Sequence, residues 1–318
     1  MDSVLVECER AGFIQWGDRE NVIVEPATLD FVEKQRGAVF SSGNASDVVE
    51  GEMRRTLDDR DTRALSDLES VAPIAEYVAD RERDDRRAIN LLDCAGRQHR
   101  FHGRFAASFR VRAKGLPRVL AGCLPRDPQF AISISNLGRS CVDAGIPERG
   151  LLLAALGLAV EKKFRPDNGS VLSIRYDAFA RALLYWGYPK TALAVARDAM
   201  TLALQVQGPG RRLGIGKRHF TLGAIQAILQ EPHAALANLA AAGRLLAAEL
   251  PEDHHWFAAV AMWRGEAMRQ MRRLDQSYTL LSWSLEKAKR TYRPDHPVIA
   301  THEHFLNRWR HDARATIR

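Results

Sequence analysis

Three groups of residues in this 318-residue chain have the side-chain types from which a site could be built. The first is Gly208–Lys217, where four glycines stand among Arg211, Arg212 and Lys217. A phosphate loop needs G-x-x-x-x-G-K-[ST] between a strand and a helix. Here Arg211 is the residue five before Gly216, and Arg218 follows Lys217, so the segment reads as a turn. The second group is His254, His255, His296, His302 and His304. Zinc needs three or four ligands at known spacings. The imidazoles of His302 and His304 stand about 200° apart on a helix, on different faces. His254 and His296 occupy equivalent turn positions, so the histidines read as structural. Nor does a nucleophile motif of the G-x-S-x-G kind occur. The expectation is therefore no catalytic residue, no metal and no cofactor.

The third group is a row of arginines. Arg97, Arg139 and Arg181 recur at steps of 42, and Arg100 lies one helical turn beyond the first. Guanidinium groups bind carboxylates and phosphates in a bidentate fork. A row of them makes an anion-binding stripe only if the chain stacks equivalent positions side by side. Asp177 and Tyr185, on the same inferred helix face as Arg181, would neutralise or flank the row.

The elements that would position this row form a repeat. Helix-breaking segments return at Leu124–Pro128, Arg165–Gly169, Gly208–Arg212, Leu250–His255 and Arg293–Pro297. Their first prolines, Pro125, Pro166, Pro209, Pro251 and Pro294, step by 41, 43, 42 and 43. A fixed period of this size marks a solenoid of stacked supersecondary units. Within each unit a small residue stands in mid-helix: Gly96, Gly138, Ala180, Gly223 and Gly265. Seven residues later come Gly103, Gly145, Gly187, Gln230 and Arg272, where the chain must reverse. A small mid-helix residue lets a neighbouring helix approach, and a turn residue that tolerates positive φ closes the hairpin.

Composition bounds the rest. A hydrophobic content of 46% with 27% charged residues suits a folded soluble chain. No apolar run nears the roughly 20 residues of a membrane span. Leu151–Val160 comes nearest, and Glu161, Lys162 and Lys163 end it. Met1–Glu9 lacks a basic start, so no signal peptide is expected. Cys8, Cys94, Cys123 and Cys141 form no CxxC pair and read as free thiols in a reducing, cytoplasmic setting. The net charge of +7 is uneven. Met1–Asp80 carries 8 Lys and Arg against 18 Asp and Glu, and Arg81–Arg318 carries 38 against 21. A basic solenoid attracts acidic peptides, nucleic acid or anionic surfaces.

The front of the chain differs from the repeats. Phe13–Trp16 and Asn21–Val24 are apolar, β-prone runs around Gly17–Glu20, which predicts a hairpin. With Ser3–Ala11 before it and a helix from Pro26 after it, residues 1–40 make a winged-helix-like α+β segment. Residues 41–82 read as linker helices or a degenerate repeat. Repeats fill 83–297, and a final helix from Val298 caps the stack within 298–318. Trp186, Trp256, Trp263, Trp283 and Trp309 fall at packing positions in helices.

The unit Trp256–Pro297, with its closing Arg293-Pro294-Asp295-His296-Pro297 turn, resembles the tetratricopeptide repeat in its long, kinesin-light-chain-type form. Asn136-Leu137-Gly138 is the other close local match. The resemblance covers about 83–309, some five units. It departs at Arg211–Ile215, which replaces the D-H-P turn, and at Gly115-Leu116-Pro117 inside a second helix. The front resembles the module that precedes such repeats in nucleotide-switch (STAND-type) regulators, although Glu25 stands where a His often precedes the Pro. The resemblance implies an all-α, right-handed α-solenoid of stacked helical hairpins. It implies a non-enzymatic scaffold, or a sensor arm, that takes a protein or peptide with acidic groups on its concave side. The expected groove residues are Arg97, Arg100, Arg139, Arg181, Asp177 and Tyr185. The alternative is a nucleic-acid-associated regulator using the basic solenoid and the front module.

Overall fold

The structure is a computed structural model and describes residues 14–16, 22–24, 71–208 and 210–317. Strands β1 (Ile14–Trp16) and β2 (Val22–Val24) form an antiparallel hairpin in the register Ile14–Val24, Gln15–Ile23, Trp16–Val22. The winged-helix-like reading of 1–40 and the reading of 41–70 otherwise lie outside the described residues.

Twelve helices follow among the described residues. They are α1 (Val71–Arg81), α2 (Asp85–Phe101), α3 (Phe105–Gly122), α4 (Pro128–Asp143), α5 (Pro147–Phe164) and α6 (Gly169–Tyr185). Then come α7 (Pro189–Gln205), α8 (Arg211–Ile228), α9 (Pro232–Ala247), α10 (Trp256–Gln270), α11 (Leu274–Thr291) and α12 (Pro297–Ile317). Each even-numbered helix from α2 to α10 pairs with its successor as a hairpin, and each hairpin packs on the next. α1 packs on α2 at one end and α12 on α11 at the other, so both terminal hairpins are covered. The architecture is all-α stacked helical hairpins, a tetratricopeptide-like solenoid. The last helix runs from Pro297 to Ile317.

The hairpins close because of their local chemistry. Gly103, Gly145, Gly187, Gln230 and Arg272 all have positive φ, between 60° and 91°. Beside each, the next amide reaches back five residues: Arg104 to His99, Ile146 to Cys141, Tyr188 to Leu183, Glu231 to Gln226 and Arg273 to Met268. This is the Schellman closure, which satisfies the last carbonyls of the first helix. Pro147, Pro189 and Pro232 then open second helices, at a position where the lost amide has no intrahelical partner to miss.

The two helices of a hairpin cross at a pair of small residues twelve apart. The pairs are Gly96 and Ser108, Gly138 and Gly150, Ala180 and Ala192, Gly223 and Ala235, Gly265 and Ser277. A Cβ on Gly138 would stand 3.0 Å from the Gly150 carbonyl oxygen, and one on Gly223 would stand 3.1 Å from that of Ala235. Ser108 and Ser277 donate from Oγ to the Gly96 and Gly265 carbonyls, at 2.7 and 2.8 Å. With backbones this close, alanines fill much of the interior, and the core is a chain of local clusters rather than one mass. Cys94, Cys123 and Cys141 are buried within it.

The departures from the repeat pattern are absorbed. Gly210, at φ 76°, starts α8 where a D-H-P turn would stand. Pro117 lies inside α3 without ending it. Trp186 and Trp283 do not pack in the core as their helical positions predict: they are 41% and 47% exposed. Trp186 sits at the C-cap of α6, where the chain turns outward and Tyr188 covers it, ring to ring at 5.1 Å.

Candidate functional site: a cationic chamber

The first helix of every hairpin, α2, α4, α6, α8 and α10, contributes to one wall. In each, the small crossing residue faces the second helix, so the residue after it, about 100° further round, faces the inside of the curve. That places Arg97, Arg139 and Arg181 on the inner wall, where they line a chamber of about 580 Å³. Arg100 and Asp177 line it too. Tyr185 does not. It borders a crevice of about 50 Å³ that shares Arg100, Arg139 and Arg181 with the chamber.

The structure adds residues that the sequence pattern did not assign to the groove. Arg211, Lys217 and Arg218 of α8 supply more positive charge to the chamber. Trp256, Phe220, Tyr292 and His296 add aromatic surface. Gly208–Lys217 is thus no phosphate loop, yet its helical part faces the chamber. The signal that could have found it is its position in the first turns of a first helix, on the concave face.

Most of these cations already have partners. Arg100 pairs with Asp143 of the same hairpin's neighbour, 43 residues on. Arg218 is buried, donates to Ser173 Oγ at 3.0 Å, and lies 3.6 Å from Asp177 Oδ2. Arg181 lies 3.7 Å from the same oxygen. Asp177 is 7% exposed; burial alone would raise its pKa, but Arg218 and Arg181 hold it below the usual carboxylate value.

Arg139 differs. Its Nε is shielded from solvent without a hydrogen bond, and no carboxylate lies within ion-pair distance among the described residues. Burial first, then the neighbouring Arg181 and Arg100, lowers its pKa to about 9. A guanidinium held at this cost is complementary to an incoming anion.

Beneath the chamber the solenoid closes on itself. The α11–α12 turn meets the α2–α3 turn, joining the last hairpin to the first. His296 Nε2 donates to the Phe101 carbonyl at 2.9 Å. The Tyr292 ring lies 5.8 Å from that of Phe101 and 4.2 Å from the His296 imidazole. Gly103 fits against Pro297 so tightly that a Cβ would stand 2.6 Å from its Cδ. His254 and His296 serve their turns as the repeat pattern implies, each accepting an amide two residues on, from Trp256 at 3.2 Å and Val298 at 3.1 Å. Among the described residues no group of three or more His, Cys, Asp or Glu is arranged to hold a metal, and no helix is long and apolar enough to cross a membrane.

No protein-family model matches the chain, and no curated protein matches it by sequence. Solved structures match it through their shape. BtubC (BKLC) from P. vanneervenii is 16% identical, over 70% of this chain and 89% of that one, with a TM-score of 0.52. The apo form of the quorum sensor NprR from B. thuringiensis is 11% identical, over 88% and 74%, with a TM-score of 0.56. The Rap conjugation gene regulator of the plasmid pLS20, solved in complex with the Phr* peptide, is 14% identical, over 84% and 80%, with a TM-score of 0.57. At these identities the likeness is one of fold: a tetratricopeptide-like stack of helical hairpins.

Proposed function

We propose that this chain is a non-catalytic scaffold whose chamber holds a peptide or protein segment carrying acidic groups. The observation that carries the reading is Arg139, a part-buried guanidinium without a counter-charge, set among Arg97, Arg100 and Arg181 on a concave wall. A carboxylate placed there gains charge-assisted hydrogen bonds and relieves the repulsion among the neighbouring guanidiniums. Asp177 limits the positive patch on one side, and Tyr185 flanks its edge. The aromatic and aliphatic surface of the same chamber, including Ile174, Phe220 and Trp256, would hold the uncharged part of the segment. The structural neighbour solved with the Phr* peptide supports a peptide as the ligand class. A sensor or regulatory role belongs to the same reading.

The test is fluorescence anisotropy with labelled acidic dodecapeptides. Arg139→Glu should weaken binding at least tenfold while leaving helicity unchanged. Equal binding by the variant would remove Arg139 from the site. A parallel titration with random duplex DNA examines the alternative. Affinity for DNA that falls steeply with salt would favour nucleic acid, because each phosphate contact releases a counterion.

A further inference from the structure

The crevice of about 50 Å³ beside the chamber lies where α4 meets α6. It is open because the residues around it are small: Gly138 of α4, Ala154 of α5, and Ala178 and Ala182 of α6. One repeat before Ala178, Asn136 reaches across to Asp93; alanine has no group to do so. Arg100, Arg139 and Arg181 line the crevice, with Asp143 as the acid among them. Asp143 pairs with Arg100, and Arg181 lies beside Asp177. Arg139 is left as the surplus charge, its Nε shielded and without a hydrogen bond. Ser135 Oγ, buried in the same lining, is also without a partner among the described residues. The space holds roughly three or four water-sized atoms. One carboxylate satisfies both the single surplus charge and the volume, and the planar guanidinium matches it.

Tyr185 is the lining residue at which this crevice meets solvent, since it is 67% exposed. It begins an aromatic turn. Trp186 and Tyr188 stand on either side of Gly187, in ring contact with each other, and Tyr188 is 50% exposed. Closing a hairpin does not require these rings. At the same places the α4–α5 turn has Asp143, Ala144 and Ile146, and the α8–α9 turn has Ile228, Leu229 and Glu231. Both close by the same backbone bonds as the α6–α7 turn. Three aromatic rings held in water beside a cationic crevice mark a surface that another molecule covers. Charge and continuity choose that molecule: the crevice calls for a carboxylate, and the rings adjoin it through Tyr185.

We propose that the crevice takes one carboxylate of the bound segment and that the Tyr185–Trp186–Tyr188 turn takes an aromatic side chain one or two residues away from it. The inference rests on the reading of the chamber as a site for an acidic segment, and it gives that segment a signature: an acidic residue with an aromatic neighbour. The carboxylate supplies the counter-charge that Arg139 lacks. The ring of the ligand packs on Trp186 and Tyr188, which lose little freedom because each already rests on the other. Acidity alone is then insufficient for tight binding, which separates this surface from a general cationic patch.

The experiment compares two labelled dodecapeptides of equal charge on the full chain by fluorescence anisotropy. Both have blocked ends and a central Glu in an Ala–Ser background; one carries Phe two residues to either side of the Glu, the other Ala. The Phe peptide should bind about tenfold more tightly. Tyr188→Ala should shrink that preference by about fivefold, and Arg139→Glu should weaken both peptides. In protein labelled with 5-fluorotryptophan, the Trp186 resonance, assigned by its loss in Trp186→Phe, should shift with the Phe peptide and not with the Ala peptide. Equal affinity for the two peptides, or an unmoved Trp186 resonance, overturns the aromatic half; if Arg139→Glu still weakens both, the chamber reading survives it. Binding by neither peptide overturns both. Sedimentation velocity covers the remaining occupant: a native dimer that Tyr188→Ala dissociates would assign the turn to a second copy and overturn the proposal.

Discussion

Arg100 and Asp143 form an ion pair across adjacent hairpins, and the same 43-residue step joins Arg269 to Asp312. Asn136 donates to Asp93 over that step as well, at 2.7 Å. The repeat thus sets electrostatic partners as well as packing. At Arg139 the residue one such step on is Ala182, which offers no carboxylate.

Ligand binding should fall at high pH for this reason. Arg139 has a pKa lowered to about 9 in the free protein, and a bound anion raises it again. Binding of an acidic peptide is then strongest below pH 9 and weakens as the pH rises through it, with proton uptake on binding near pH 9. Calorimetry in buffers of different ionisation enthalpy measures that uptake. Affinity equal at pH 7.5 and pH 10 would mean that Arg139 keeps its charge across this range, or makes no contact with the anion.

Gly138→Ala should destabilise the solenoid by about 1–3 kcal/mol, because the new methyl meets backbone that cannot yield. It would stand 3.0 Å from the Gly150 carbonyl oxygen and 3.1 Å from the Ala154 nitrogen. Gly169→Ala, with nothing within 4 Å, is the control for the loss of a glycine. Urea midpoints for the two variants should separate clearly; coincident curves would remove the close crossing.

Gln230 and Arg272 hold φ values of 62° and 60° that suit glycine better. Relieving a left-handed residue gains roughly 1–2 kcal/mol, and the added freedom of the unfolded chain returns about 0.5–1 of it. Arg272→Gly should therefore raise the unfolding free energy by about 0.5–1 kcal/mol, with a slightly higher urea midpoint. A lowered midpoint would show that the pairing of Arg272 with Asp312 outweighs the backbone term.

His302 is buried and hydrogen-bonds Ser284 Oγ through Nδ1 at 3.1 Å. Burial lowers its pKa to about 4. A neutral histidine of this kind contributes stability that is complete above about pH 6.5 and lost as the pH falls toward 4, on the order of 3 kcal/mol in all. His302→Gln should flatten that part of the stability–pH curve measured by urea unfolding. An unchanged slope between pH 7 and pH 5 would assign the loss elsewhere.

Much of this architecture is written in local residue choices. The five turn positions read from Gly103, Gly145, Gly187, Gln230 and Arg272 are the five that adopt positive φ within the hairpins. The arginine row was legible because a single period carries each equivalent residue to the same face. The crossing partners Ser108, Gly150, Ala192, Ala235 and Ser277 could have been found by the twelve-residue step from each small residue. The contact of Phe101 with His296 could not. It depends on the twist and rise of every hairpin between them, and small angular terms add along the stack in ways no local pattern records. The placement of Trp186 failed for a related reason, since a helix cap points a side chain outward despite its apparent periodicity.

Open solenoids accept additional units at little cost, because each unit touches only its neighbours. Here the head bites the tail, so the number of hairpins is no longer free. Inserting one more unit would swing Pro297 away from Gly103 by a full unit's rotation and leave the Phe101 carbonyl uncovered. The copy number of the repeat is in this sense a structural constant of the molecule, fixed by a fit of a few ångströms at one seam.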